Sequence, residues 1–351
     1  VIFRVWAPIA ERVSVEVDGT AVDMTPVDAA GWWQADVAGA RPGSRYWFSV
    51  DDGPFRPDPR SASQPDGVDG PSEVVDHDAF PWTDDDWLGF PLAGAVLHEI
   101  HIGTFSPAGT FDGAIDHLDH LADLGVDAVE VMPVVEFAGD RGWGYDGVDL
   151  FAPHHVYGGP DGFKRFVDAC HARGLGVILD VVYNHLGPAG NHLATFGPYF
   201  TDHHQTNWGQ AVNVDGPHSD EVRAWIIANA RHWLVDHRVD GLRLDAVHAI
   251  ADDSAVHLLE ELAGAVRSWE QQCGRPMWLI AESDRNDPRY VRPVEAGGYG
   301  LDSAWADEWH HALHAVLTGE RSGYYEDFGS IDDLAVALRQ AWVYAGRWSR
   351  H

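Results

Sequence analysis

Two rhythms divide the chain. From Val1 to about Ser49, apolar and polar positions alternate in short runs such as "RVSVEV" (12–17) and "RYWFSV" (45–50). A period of two turns one face of a strand to a core and the other to water. With turns at Asp18-Gly19 and near Pro42-Gly43, the pattern predicts an antiparallel β-sandwich. Residues 51–94 lose the alternation and fill with Pro, Asp, Gly and Ser, as in "DDGPFRPDPRSASQPDGVDGPSEVVD". That composition predicts an irregular connection packed on a neighbour. The domain boundary is placed near Gly94, dividing the chain into 1–93 and 94–351.

Beyond Gly94 short apolar strands alternate with amphipathic helices. Strands are expected at 95–101, 127–132, 176–183, 241–246, 277–282 and, more weakly, 301–306. Helices fit between them at about 112–124, 161–173, 219–236 and 253–270. This βαβ order implies a parallel sheet covered by helices. Periodicity alone allows a TIM barrel or a doubly wound sheet, and the unbroken succession of units favours the barrel. A barrel needs eight strands. After the helix-like "IDDLAVALRQAW" no seventh strand is visible, and the chain opens on a strand without methionine. The expected fold class is therefore α/β: an N-terminal antiparallel sandwich followed by an incomplete TIM (β/α)8 barrel, within a piece of a longer protein.

Charges interrupt three of these strands at one end. In "GLRLDAVH" (241–248), Gly241, Arg243 and Asp245 share a face, while Leu242, Leu244 and Ala246 face the helices. Charges inside a core strand cost several kcal/mol, roughly, unless they are paired. A structural ion pair is one explanation of Arg243 and Asp245. Two further strands argue for a site: "GVILDVVYNH" brings Asp180 inward with Asn184 and His185 just beyond, and "MWLIAES" ends on Glu282. In a barrel these positions meet at the carboxyl ends of the strands, where active sites lie. An arginine beside a carboxylate favours the ionised form a nucleophile needs. Two carboxylates from different strands, one ionised and one holding a proton, suit glycosidic bond cleavage.

Composition narrows the partners. A chain of 351 residues that is 45% hydrophobic can bury a large core. Its formal charge of −32 repels nucleic acid and anionic membranes, so a neutral or cationic ligand fits better. Lysine occurs only at Lys164, and the acidity reads as a solvation feature. No signal peptide or apolar span of membrane length is evident, which makes a cytoplasmic protein the expectation. Cys170 and Cys273 are too few for a disulfide framework and are expected to be buried thiols. The 16 tryptophans suit a sugar site in part. Flat rings in loops such as "RGWGYDG" and "SGYYEDFG" can stack on glucose faces. Trp32, Trp33 and Trp233 read as core, and Tyr145 as either a stacking platform or a packing residue.

At these residues the chain resembles a known family. "DVVYNH", "GLRLDAVH" and "LIAES" are similar to the first three signature regions of the alpha-amylase superfamily of retaining glycoside hydrolases. "FRVWAP" and the stretch "VMPVVEFAGDRGWGYDGVDLFAPHHVYGGPDGFKRFVDACHARGLGV" resemble the part of it that includes glycogen branching enzymes and trehalose-releasing enzymes. Within it, "GLDSAWADEWHHALHAVLTGERSGYYEDFG" resembles the maltooligosyltrehalose trehalohydrolases, and "HEIHIGTFSPAGTFDGAIDHL" suits them too.

The resemblance implies Asp245 as nucleophile and Glu282 as general acid/base. It implies that Arg243 holds the nucleophile, that Tyr145, Asp180 and His185 line the subsite of the sugar under attack, and that His248 reaches the neighbouring subsite. His310 and His311 either distinguish a trehalose end or sit in the core or on a helix surface. The implied activity is cleavage of the α-1,4 linkage next to the terminal trehalose of maltooligosyltrehalose, with glucan branching as the alternative. No cofactor, no metal and no obligate protein partner are expected: Asn184 resembles a calcium-serving position, but no set of oxygen ligands surrounds it in the sequence. The family's fourth motif, a His-Asp after the seventh strand, has no counterpart, since the only His-Asp is His77-Asp78 before the barrel. Without that third carboxylate the chain alone is expected to lose about two orders of magnitude in rate or more, and a non-catalytic glucan-binding role is the further alternative.

Overall fold

The computed structural model describes residues 1–345 and residue 348. The opening region forms two antiparallel sheets. In one, Trp32–Asp36 lies between Ile2–Trp6 and Thr25–Pro26; in the other, Val13–Val17 lies between Thr20–Asp23 and Arg45–Val50, with Ser72–Glu73 at the edge. Val13, Val15 and Val17 are buried while Ser14 and Glu16 are half-buried, as the alternation requires. Asp18 and Gly19, at φ 47° and 82°, are both left-handed. Their turn matches the twist of the hairpin they close.

The sandwich packs on the second region without an apolar gap. Trp6 meets Tyr199 edge-on at 5.2 Å, and Phe48 meets Phe196 at 6.4 Å. Trp32 Nε1 donates to Glu221 at 3.0 Å, and Trp225 Nε1 to the Pro59 carbonyl at 2.9 Å. One cluster of buried side chains runs from Phe3 in the sandwich to Leu301 near the last strand.

Six parallel strands follow in chain order: Leu97–Ile100, Ala128–Val131, Gly176–Val181, Gly241–Leu244, Trp278–Ala281 and Ser303–Ala304. They curl into an incomplete TIM barrel. The convex face carries Val129, Val131, Val177, Leu179, Leu242, Leu244 and Leu279 into the main core beneath the helices. On the concave face Ala128, Ile178 and Ile280 form a separate cluster around Phe90, which the connecting segment inserts from below. Gly176 is required there, because a Cβ would stand 2.2 Å from the Phe90 ring. Register then places Glu130, Asp180 and Arg243 above this plug, with Asp180 directly opposite Arg243.

The elements depart from the sequence expectation in detail. Each strand is shorter, and the sixth is reduced to two residues. The helix expected at 112–124 is split into Phe111–Ile115 and Leu118–Leu124. The one expected at 253–270 runs Leu258–Cys273, because Asp252 accepts from Arg223 and from the Ser254 and Leu258 backbones and holds the preceding loop open. That shift also corrects the thiols: Cys170 is buried, but Cys273 falls on the exposed last turn. Two hairpins were not anticipated, Val135–Glu136 with Asp149–Pro153 and Phe200–Thr206 with Gly209–Val212. Among the described residues no helix is long and apolar enough to cross a membrane.

Candidate active site

The third, fourth and fifth strands carry their charged residues to one place. Asp180 lies inside its strand, fully buried, and the next strand sets Arg243 beside it. Arg243 Nη1 donates to both Asp180 oxygens, at 2.9 and 3.0 Å, and to Asp245 Oδ1 at 2.7 Å. Its Nη2 stands 3.7 Å from Glu282 Oε2. One guanidinium therefore faces three carboxylates, which is how this much charge can be buried.

Backbone geometry completes the arrangement. Asp245 and Glu282 each sit one residue past their strands, and the ladder still reaches them: Asp245 N–H bonds Val181 O, and Glu282 N–H bonds Leu244 O, both at 3.0 Å. Ala246 then adopts φ 41°, a conformation costly for a residue with a Cβ. The turn aims the Ala246 N–H at Glu282 Oε2, 2.7 Å away. Asn184 Nδ2 donates to the carbonyl and to Oδ2 of Asp245, at 2.8 and 2.9 Å. His185 pairs with Asn184 and, through Nε2, with the Tyr145 carbonyl at 3.0 Å. Tyr145 in turn donates its hydroxyl to Asp180 Oδ2 at 2.7 Å.

Burial and charge then separate the acids. Burial pushes Asp180 up to about 7, against the pull of Arg243 and Tyr145. Burial also raises Glu282, opposed by Arg243 and by the Ala246 N–H and aided by the Asp245 charge. Arg243 is held firmly cationic, since Asp180 and Asp245 outweigh the opposing effect of its burial. A carboxyl whose proton is held more tightly by burial, beside one bonded to an arginine, is the kind of pairing that general-acid and nucleophilic roles use.

Other expected residues lie at varying distance. His248 follows the fourth strand, with Nδ1 3.6 Å from Asp284. His310 is exposed on the helix Asp307–Thr318 and acts electrostatically on Asp307, which also senses His248 and Arg243. His311 turns away from this group to stack on Tyr324 at 5.5 Å and pack near Phe328. A cavity of about 920 Å³ begins at Tyr145 and extends toward the first strand, walled also by Trp143, Arg141, Met132 and Tyr157. Asp245 and Glu282 stand outside its wall, so Tyr145 is the residue the cavity and the charged cluster share.

Two residues at the site, Trp208 and Glu130, escape the sequence reading, which sets a third, Asn184, beside the site without a role toward Asp245. Asn184 clamps Asp245, a role its neighbour His185 in "DVVYNH" could have suggested. Trp208 comes from the unanticipated hairpin and stacks on His185 at 5.0 Å; nothing in "QTNWGQ" signals that. Glu130 interrupts "AVEVMP" just as Asp180 interrupts its strand, so the same logic could have found it. Burial pushes Glu130 up to about 8, with the Asp180 charge adding to the effect.

Two family descriptions match the chain: alpha amylase, catalytic domain, over residues 62–208, and carbohydrate-binding module 48 (isoamylase N-terminal domain) over residues 1–60. With the incomplete barrel and the acids at its mouth, these matches make the chain similar to the catalytic and N-terminal domains of the alpha-amylase superfamily. More particularly, it is 53% identical over 351 residues to the malto-oligosyltrehalose trehalohydrolase of Mycobacterium tuberculosis (strain ATCC 25618 / H37Rv), covering 99% of this chain and 60% of the relative. A crystal structure of a Salmonella typhimurium protein, 42% identical, superposes with a TM-score of 0.92 over 99% of this chain and 59% of its own. The branching enzyme GlgB of Pseudoalteromonas atlantica is 31% identical, covering 90% of this chain and 49% of that protein. The chain thus spans about 60% of the length of the trehalohydrolase it matches.

Proposed function

We propose that the whole protein is a retaining glycoside hydrolase that cleaves the α-1,4-glucosidic linkage next to the terminal trehalose of maltooligosyltrehalose and releases trehalose. In this mechanism the Asp245 carboxylate attacks the anomeric carbon while Glu282 passes its proton to the departing glycosidic oxygen. Glu282, now ionised, takes a proton from water, which releases the sugar from Asp245 with retained configuration. Arg243 and Asn184 hold Asp245 in line. Tyr145, Asp180 and His185 bound the sugar under attack, and His248 and His310 lie toward the trehalose side, with His311 packed behind them on Tyr324. The single observation that carries the reading is the guanidinium of Arg243, bonded to Asp180 and Asp245 and 3.7 Å from Glu282. The choice of substrate rests on the 53% identity to a trehalohydrolase against 31% to a branching enzyme.

The substrate is thus a neutral α-glucan, in keeping with a chain too acidic for nucleic acid. We place the enzyme in the cytoplasm, where its free cysteines Cys170 and Cys273 stay reduced. Supplying the intact protein with maltooligosyltrehalose tests the proposal: trehalose is the expected product. Branched product from amylose, with no trehalose, favours the branching alternative. Binding of glucan without turnover of either substrate favours the non-catalytic one.

A further inference from the structure

At the amino-terminal end of the sheet, away from the site above, three histidines converge. His232 and His237 lie where the helix Ser219–Arg231 ends and the chain turns toward the fourth strand, and His77 reaches them from the connecting segment. Their ring centroids are 5.0 Å (His77–His232), 5.4 Å (His77–His237) and 4.6 Å (His232–His237) apart. One nitrogen of each ring lies within 4.8 Å of one nitrogen of both others.

The hydrogen bonding of these rings is incomplete. His237 is fully buried and neither of its ring nitrogens has a partner; Nδ1 of His77 is likewise buried and alone. Each orphaned polar atom costs about 1–3 kcal/mol. His232 donates through Nε2 to the Phe151 carbonyl at 2.9 Å, and its Nδ1 stands 3.5 Å from Asp236 Oδ2. With Nε2 held by a backbone carbonyl, as metal-bound histidines commonly are, Nδ1 is the nitrogen placed toward a cation and toward the Asp236 carboxylate.

We propose that His77, His232 and His237 bind one divalent transition-metal ion of the zinc class, with the Asp236 carboxylate as the charge-compensating fourth group. Three imidazoles and a carboxylate suit such an ion better than calcium or magnesium, which prefer all-oxygen shells. A neutral imidazole offers one lone pair, and the ring nitrogens of His237 and Nδ1 of His77 have no other partner to take it. Lys164 is the opposing charge nearby, donating to the His77 carbonyl at 3.0 Å. Its charge is countered by the carboxylates of Asp161, Asp236, Asp78 and Asp76. A surface cavity of about 510 Å³ with His77, Phe80 and Asp236 in its wall gives an ion a route in. The bound ion would fasten the connecting segment to the barrel, a structural role separate from catalysis.

The test uses the full-length protein without a histidine tag, stripped with dipicolinate, reloaded with zinc or cobalt(II) and dialysed. Expected are about one retained zinc per chain lost in His77→Gln and in His237→Gln, a tetrahedral cobalt(II) absorption band, and a melting temperature that falls on stripping and recovers on reloading. His77→Gln, in the connecting segment and only partly buried, guards against a result caused by misfolding, with circular dichroism as the check. Equal zinc retention by wild type and both variants overturns the proposal, as does a wild-type protein that retains none. Loss of the zinc in His154→Gln alone also overturns it, by assigning the ion to the Glu136–His154–His155 group.

Discussion

The fourth strand carries an aspartate at each end, and the fold treats the two oppositely. Asp240, ahead of Gly241, is fully buried and accepts from Trp87 Nε1 at 2.7 Å, Val177 N–H at 2.8 Å, His171 at 3.0 Å and Arg275 at 3.3 Å. His171 is itself tied to Asp84 at 2.6 Å and stacked on Trp87. Asp245, at the other end, accepts from Arg243 and Asn184 and keeps 13% of its side chain open. Same residue type and same strand: the number of donors around each carboxylate separates an anchor from the group proposed to react. A closed donor shell stabilises charge once. An open one leaves room for a substrate atom.

Substitutions at the two ends put this contrast at risk. The largest effect is expected for Asp245→Asn, which should lower turnover of maltooligosyltrehalose by about four orders of magnitude with little change in unfolding midpoint. Retained activity would remove Asp245 from the mechanism. Glu282→Gln should cost about a thousandfold. In the wild type, activity should fall as pH rises through the raised Glu282 pKa, because the proton donor is then lost; the variant's residual activity should lack that alkaline limb.

The opposite end should respond in the opposite currency. Asp240→Ala is expected to lower stability by about 3 kcal/mol, read by urea unfolding, because it strands Arg275 and His171. Activity per folded molecule should be kept, and a selective loss of turnover would break the contrast.

A subtler test lies between the two. Glu130 is raised from 4.5 to about 8, so the folded state holds a proton that the unfolded state releases. Its contribution is fully present below about pH 4.5 and is lost as pH rises through about 8. Glu130→Gln should flatten that fall in a stability–pH profile. The smallest effect is expected for Trp208→Ala: with about 1 kcal/mol of stacking removed, KM should rise about fivefold while kcat holds.

Legibility followed the range of the interaction. Alternation in "RVSVEV" and the acids at the ends of "GVILD", "GLRLD" and "LIAE" are local patterns, and period two converts them directly into faces and ends of strands. Trp208 on His185, by contrast, joins residues 23 apart through a hairpin with weak turn signals. The Asp240 anchor joins residues from Trp87 to Arg275, and no window of sequence contains it. Cys273 shows the same limit in miniature: the helix runs three residues past its expected end, up to the left-handed Gly274, and puts the thiol on an exposed last turn.

By itself, then, the sequence determined the order of strands and helices, the family resemblance, and which acids would be carried to one end of the sheet, because each depends on residue type and spacing along one strand. Tertiary structure alone decided which of those acids would be closed in by donors and which left open, where the cavity begins, and how three histidines from two distant segments meet. Those outcomes depend on what approaches from elsewhere in the chain, and a carboxylate's chemistry is set by the neighbours that surround it rather than by the residues beside it in sequence.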